Sequence, residues 1–321
     1  MLVLAVATSW ILLFWLGPAV VDEAAWHRLG PADRAVAAAN WRSLLVQIGL
    51  GTGALGALIF TARNFLLARE GQVVDRFTKA VDQISSDRVD VRLGGIFALE
   101  RVMVDSPRDH ETVVLLLCAF LGERAPADHD SSEPWSSDIE WLEPPSLTNA
   151  NRITNWRPPA DIRAALTVLA RRPRRPETDR LDLSSTDLRG ATLADYGRLS
   201  GATLSGADLR QTDFSRADMR HAALAKADAR QGFFVSTDLR GALLYNADLR
   251  GALLMGADLS HADLSKVRLE GALLDHVRFH GANLNGANLR DTDLRRVNGL
   301  TTEQLSQAET NAGTQVPGQG I

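Results

Sequence analysis

The sequence predicts two different structures joined in one chain: an α-helical N-terminal region with two transmembrane helices, and a C-terminal solenoid of short stacked coils. Three observations carry this. Residues 1–21 and 43–62 hold no charged side chain. All seven tryptophans (Trp10, Trp15, Trp26, Trp41, Trp135, Trp141 and Trp156) lie before residue 157. From Leu199 to Leu294 a large apolar residue recurs at every fifth position, and Ala229 is the one miss in twenty.

Each uncharged stretch has about the ~20 residues a helix needs to cross the hydrocarbon core. Together they predict a two-span hairpin over residues 1–63, set in the lipid bilayer through 1–21 and 43–62. A cleaved signal peptide is the alternative for the first stretch, but no basic residue precedes its apolar run. Gly49 and Gly53 have the spacing that lets helices approach closely. Arg28, Arg34 and Arg42 lie in the polar connection 22–42, and Arg63, Arg69, Arg76 and Lys79 lie beyond the second span. This slight excess favours a multi-pass protein of the cell membrane with its repeats in the cytoplasm.

Residues 64–125 read as a helical juxtamembrane domain. Phe65, Val73, Val74, Phe77, Val81 and Ile84 recur at helical spacing, as do Leu93, Ile96, Phe97, Leu99, Val102 and Met103. Ser106-Pro107-Arg108-Asp109 has the form of an N-cap, an N1 proline and an acidic N3 residue. It predicts a third helix through Val113, Leu116, Leu117, Phe120 and Leu121. Residues 126–157 hold six acids without periodicity and predict a flexible acidic linker. A short helix and a basic linker follow over 158–180. The arginines of ARRPRRP (170–176) fit a solvated helix C-terminus, or contact with phosphate or anionic lipid.

Period five belongs to neither a helix nor a strand. A short period held over a hundred residues marks a solenoid, in which one word cannot bury its own leucine but stacked coils can. The fifth-position residue points inward, together with the Gly, Ala, Thr or Val two places before it. Words centred on Leu183, Leu188 and Leu193 run one register off, so an extra residue stands near Tyr196-Gly197. Repeats such as ATLSGADLRQTDFSRADMR (202–220) resemble the pentapeptide-repeat family. That resemblance implies a mainly β fold over 181–298: a right-handed quadrilateral β-helix with twenty residues per coil. GLTTEQL (299–305) resembles the family's helical cap, with a disordered tail to 321, and Thr301 and Gln304 have capping-box spacing. DVRLGGIFALERVMVDSPRD (90–109) resembles a HEAT-like hairpin, and also the juxtamembrane segment of membrane-anchored actinobacterial members of the family.

With four walls, residues twenty apart stack. Two walls then carry balanced Asp and Arg. A third places Phe233, Val235, Leu253, Met255 and Leu273 outward as a candidate interaction patch. The wall facing away from it carries Ala223, Ala225, Leu243 and Tyr245, with Leu243 and Tyr245 as a secondary patch. Such patches mark contact surfaces for an unidentified protein partner or for self-association, unless they only shield the wall or the helical domain covers them.

Catalytic chemistry has no foothold. There is no P-loop, HExxH or G-x-S-x-G motif, and no cofactor is implied. The single cysteine, Cys118, lies in an apolar helix as a core residue. His261 and His280 are neighbours on the coil map, but lack a clear third ligand for a metal. The recurrent Asp reads as a backbone hydrogen-bonding group rather than as paired catalytic acids. The chain therefore reads as a membrane-anchored, non-catalytic scaffold or protein-interaction module. The resemblance offers a second function, a DNA-mimic regulator of a topoisomerase. Mimicry needs a polyanion, whereas residues 181–297 hold 15 acids and 15 bases, and the whole chain has a net charge of −4. A small-ligand or metal-binding domain is the third reading. Binding to nucleic acid itself is disfavoured by the same charge balance.

Overall fold

The computed structural model describes residues 23–127, 157–175, 177, 180–195 and 197–316, with Trp10 and Phe14 of the N-terminal stretch. The chain forms two compact units, residues 1–72 and 73–321.

In the first unit, α1 (Glu23–Arg28) stops two residues before Gly30, and Arg34 bridges the break by donating to the Trp26 and His27 carbonyls. Helix α2 (Pro31–Ile84) then runs for 54 residues. The expected polar connection and the expected boundary at residue 63 therefore lie within or beside one helix. The cause is local, because no proline interrupts 32–84 and Arg63 and Asn64 are tolerated in a helix. Residues Pro31–Phe65 are long and apolar enough to cross a membrane, and they form the one such segment among the described residues. Leu50, Leu58, Ile59 and Phe60 stand exposed around α2, a surface suited to lipid. The other expected span, 1–21, lies outside the described residues apart from two side chains. A Cβ on Gly49 would be 3.7 Å from the Trp10 ring, and the Arg42 guanidinium lies 5.7 Å from the Phe14 ring centre. Gly53 has open space around it, so only half of the expected Gly pair faces a neighbour.

In the second unit, the end of α2 packs with α3 (Val89–Asp105), α4 (His110–Arg124) and α5 (Ala160–Arg171). Gly95 makes the first crossing possible. A Cβ there would meet the Ile84 nitrogen at 2.8 Å and the Ala80 oxygen at 2.9 Å. Helix α4 starts at His110, later than expected, because Ser106 donates its hydroxyl to the Asp109 carboxylate in a turn over 107–109 instead of capping at Ser106.

These helices close the N-terminal end of the β-helix, and one buried core runs from Ala80 and Leu99 through Leu169 and Leu183 to Leu294. The backbone continues across the joint. Pro126 bridges to Thr186, the Ala127 N–H donates to the Ser185 carbonyl, and Asp187 donates to Ala125. Part of the expected linker, 126–127, is thus a piece of the fold, and the remaining 128–156 lies outside the described residues. Arg172 is buried and bonds Glu177 with two nitrogens, the Leu169 carbonyl and the Arg198 carbonyl. Arg198 returns a bond to the Arg172 carbonyl. Arg175 donates to the Met103, Val104 and Ser106 carbonyls at the end of α3. Two arginines of the basic run therefore tie the joint together and complement a helix C-terminus.

Each β-helix coil advances the chain by twenty residues, as the parallel bridges Asp208↔Asp228, Asp228↔Asp248 and Phe233↔Leu253 show. A wall contributes single bridged residues rather than long strands. The first coil is offset by 21, as in Asp187↔Asp208, and the offset ends at Arg198↔Asp218. Gly197 absorbs the extra residue, since a Cβ there would strike the Leu193 carbonyl. Corners are turns in which residue four donates back to residue one, such as Thr212 N–H to Leu209 O, with the third residue at positive φ (Gln211, +60°). That is the requirement of a type II turn, and it explains why many words begin with glycine. The next word brings the Phe234 ring close to Gly232 and the Ala229 carbonyl. Phe234 stacks on Phe214 with ring centres 5.3 Å apart, and its Cε2 stands 2.8 Å from where a Gly232 Cβ would be.

The C-terminal end is closed by α6 (Thr302–Ser306), with the expected capping box between Thr301 and Gln304. The Gln304 amide also donates to the Phe279 and Ala282 carbonyls, which caps the coil edge. The chain then rejoins the β-helix at Glu309 and Gln315, so the expected disordered tail is ordered there, and 317–321 lie outside the described residues.

Two outcomes follow. Gly232→Ala forces the Phe234 ring to move and is expected to cost about 1–3 kcal/mol in denaturant unfolding, whereas Gly271→Ala, with open space, costs only the strain of a positive φ. Burial pushes the Glu177 carboxyl up, but bonds from Arg172 and His110 outweigh it and leave it below its ordinary value of 4.5. Its contribution to stability is therefore present above that pH and is lost as pH falls through the lowered value. Thermal unfolding of wild type and Glu177→Gln should differ near neutral pH and converge in acid.

Candidate interaction surface

The surface is built from words of two kinds. In an Asp-Leu-Arg word such as 208–210, the Asp208 carboxylate accepts the Arg210 backbone N–H at 3.3 Å and the Arg210 guanidinium through Nε and an Nη. The same closure recurs at Asp218, Asp228, Asp238, Asp248 and Asp293. The other backbone donors of the word go to the coils above and below or to the turn, as with Asp208, Leu209 and Gln211. The recurrent acid thus completes the hydrogen bonding of its own word. In a doubled word such as Leu243-Leu244 no side-chain oxygen stands at that place. An apolar side chain points outward instead, beside a backbone N–H that Leu243 cannot serve.

On the acid-bearing walls the carboxylates are neutralised in ladders. Arg189, Arg210, Arg230 and Arg250 each pair with the Asp two residues before, and Arg268 reaches back one coil to Asp248. The opposite wall repeats this with Arg220, Arg240 and, one coil back, Arg278 to Asp258.

The expected main patch is less open than the coil map implies. Phe233, Val235, Met255 and Leu273 are half-buried, and Leu253 is only 3% exposed. Leu253 is bridged to Phe233 on one side and Leu273 on the other, so it stands between two large apolar neighbours in one ladder. On the wall facing away, Leu243 is 49% and Tyr245 38% exposed. Their vertical neighbours are Ala223 and Asp263, and Ala225 and Ser265, which are too small or too polar to cover them. Lys266 places its Nζ 5.7 Å from the Tyr245 ring centre. The helical domain meets the repeats at the first coil, through Ala125, Ala127, Ala170 and Arg172.

His261 and His280 are linked by a backbone bond between adjacent coils, but no group of three His, Cys, Asp or Glu placed to hold a metal is found among the described residues. Cys118 is buried, and burial pushes its thiol up to about 11, which suits a core residue and not a nucleophile.

Leu243→Asp is expected to change stability by less than about 0.5 kcal/mol, whereas Leu253→Asp should cost roughly 3–5 kcal/mol. Urea unfolding of the two variants checks the difference between outwardly equivalent positions.

Pentapeptide repeats match this chain in eight copies, over residues 198–232, 234–271 and 262–298. No curated protein matches it. Among solved structures it is similar to a pentapeptide repeat protein of the Arabidopsis thaliana thylakoid lumen, at 30% identity over 41% of this chain and 82% of that one, with a TM-score of 0.31. HetL of Nostoc, a pentapeptide repeat protein involved in heterocyst differentiation regulation, is 28% identical over 44% and 84%, with a TM-score of 0.20. A pentapeptide repeat protein of the cyanobacterium Cyanothece is 26% identical over 38% and 66%, with a TM-score of 0.26.

Proposed function

Since the chain belongs to the pentapeptide-repeat family, we propose that it is a membrane-anchored, non-catalytic scaffold whose β-helix offers one wall to a protein partner. The observation that carries this reading is the exposure of Leu243 and Tyr245, the large apolar side chains left exposed among the described residues of the repeat domain. Exposed apolar area on a rigid, otherwise polar rod marks a contact surface. The half-buried shoulder of Phe233, Val235, Met255 and Leu273 is a secondary surface in this reading.

Anchoring rests on α2, which is apolar over Pro31–Phe65. The contacts of Trp10 with Gly49 and Phe14 with Arg42 support a two-span hairpin, because position 10 meets 49 while position 14 meets 42, an antiparallel progression. The balance of Lys and Arg around the spans favours repeats in the cytoplasm. Tethering on a membrane would raise the local concentration of whatever binds the wall.

Topoisomerase regulation by DNA mimicry is the weaker reading. A mimic must present uncompensated negative charge, and the carboxylates of both acid-bearing walls are paired with arginine.

The test is photo-crosslinking in cells from position 243, with position 210 on an arginine wall as the control. The scaffold reading predicts a discrete crosslinked product from 243 that disappears in Tyr245→Glu, and none from 210. Equal products from both positions, or no change with Tyr245→Glu, would contradict it.

A further inference from the structure

A groove between the end of α2 and α3 is lined by Arg76, Lys79, Ala80, Gln83, Ala98 and Arg101. Three cations and an amide surround a floor of two alanines, and no carboxylate lines it. Ala80 is fully buried and the three cations are exposed. None of the three makes an ion pair among the described residues, although the repeat domain pairs its arginines in ladders. Asp75, Asp82, Glu100 and Asp105 flank these cations on the same two helices but stand outside the groove lining, so the groove itself presents positive charge that an anionic ligand can meet. The apolar floor suits a ligand that carries carbon next to its charge.

We propose that this groove binds the phosphate headgroup of an anionic phospholipid. The choice of a lipid rests on the membrane-anchoring reading. Arg76 and Lys79 follow Phe65, the end of the apolar segment, by 11 and 14 residues within the same helix α2. Basic residues next to a span are drawn to anionic lipid. The groove adds to that general attraction a third cation, Arg101, brought from a separate helix, and so provides several donors to one phosphate. The arginine run at 170–176 does not compete for this role through Arg172 and Arg175, which are engaged at the joint.

The experiment uses the full-length chain reconstituted in vesicles of equal phosphatidylcholine and phosphatidylglycerol, with lipids retained after gentle solubilisation counted by native mass spectrometry. Wild type should retain phosphatidylglycerol over phosphatidylcholine by about tenfold. The triple variant Arg76→Gln, Lys79→Gln, Arg101→Gln should lose the preference, and the control Arg171→Gln, Arg174→Gln should keep it. Unchanged circular dichroism, with Lys79→Arg retaining the preference, separates lost binding from lost folding. Equal retention of both lipids by wild type, or a preference kept by the triple variant, overturns the proposal. Complete displacement of phosphatidylglycerol by inorganic phosphate also overturns it, and makes the groove a site for a soluble anion. Flotation with phosphatidylcholine vesicles alone isolates the anchoring reading. If the chain does not float, that reading fails; if it floats without a lipid preference, only the groove proposal fails.

Discussion

The bond from each coil to the next, repeated every twenty residues, is the constraint on which the molecule depends. A residue at positive φ turns most corners, and the backbone donors of a word then go to the neighbouring coils, to the turn and, where an Asp is present, to its carboxylate. Among the described residues, thirteen use that conformation without being glycine. They tolerate it because the adjoining N–H groups are fixed by the coil above or below. The same stacking decides what is inside and what is outside. A side chain at an outward position is open only if the residues twenty before and twenty after leave it open, which is why Leu243 is exposed and Leu253 is not.

A rod of this kind has two ends and four walls, and here the ends are taken. The helices α3–α5 share a core with the first coil, and Arg172 and Arg198 exchange bonds across that joint. At the other end, the Gln304 amide and the segment 307–316 occupy the edge of the last coils. Closed ends discourage the edge-to-edge growth that unpaired coils invite. The walls are thus what remains open, and two of these present arginine–aspartate ladders with little net field. The more exposed pairs, such as Arg220–Asp218, contribute little to stability. Their consequence is a neutral rod.

Much of this was legible in the sequence, because the period fixes the interior and the capping box at Thr301 is a local pattern. The extra residue near Gly197 was also legible, as a slip of one in the register. Other features depend on contacts that no local pattern states. The buried state of Leu253 comes from Phe233 and Leu273, one coil away on each side. Arg172 and Arg175 resemble a solvated basic run until the ends of α3 and α5 and the first coil surround them. The continuity of α2 past residue 63 arises because nothing there breaks a helix, and an absence is easily read as a boundary when charge returns. The positive-φ corner had a signal that composition obscured: glycine at the first place of many words, shared with Gln, Lys, His and Asn at the others.

The helical domain and the β-helix form one unit closed at both ends. Amide hydrogen exchange tests it most directly. If the helices cap the rod, the amides of Leu183, Leu188 and Leu193 in the first coil should be protected to within about tenfold of those of Leu244 and Leu249 in the middle. A first coil exchanging more than about a hundredfold faster than the middle would show a frayed, uncapped end, and would contradict the account.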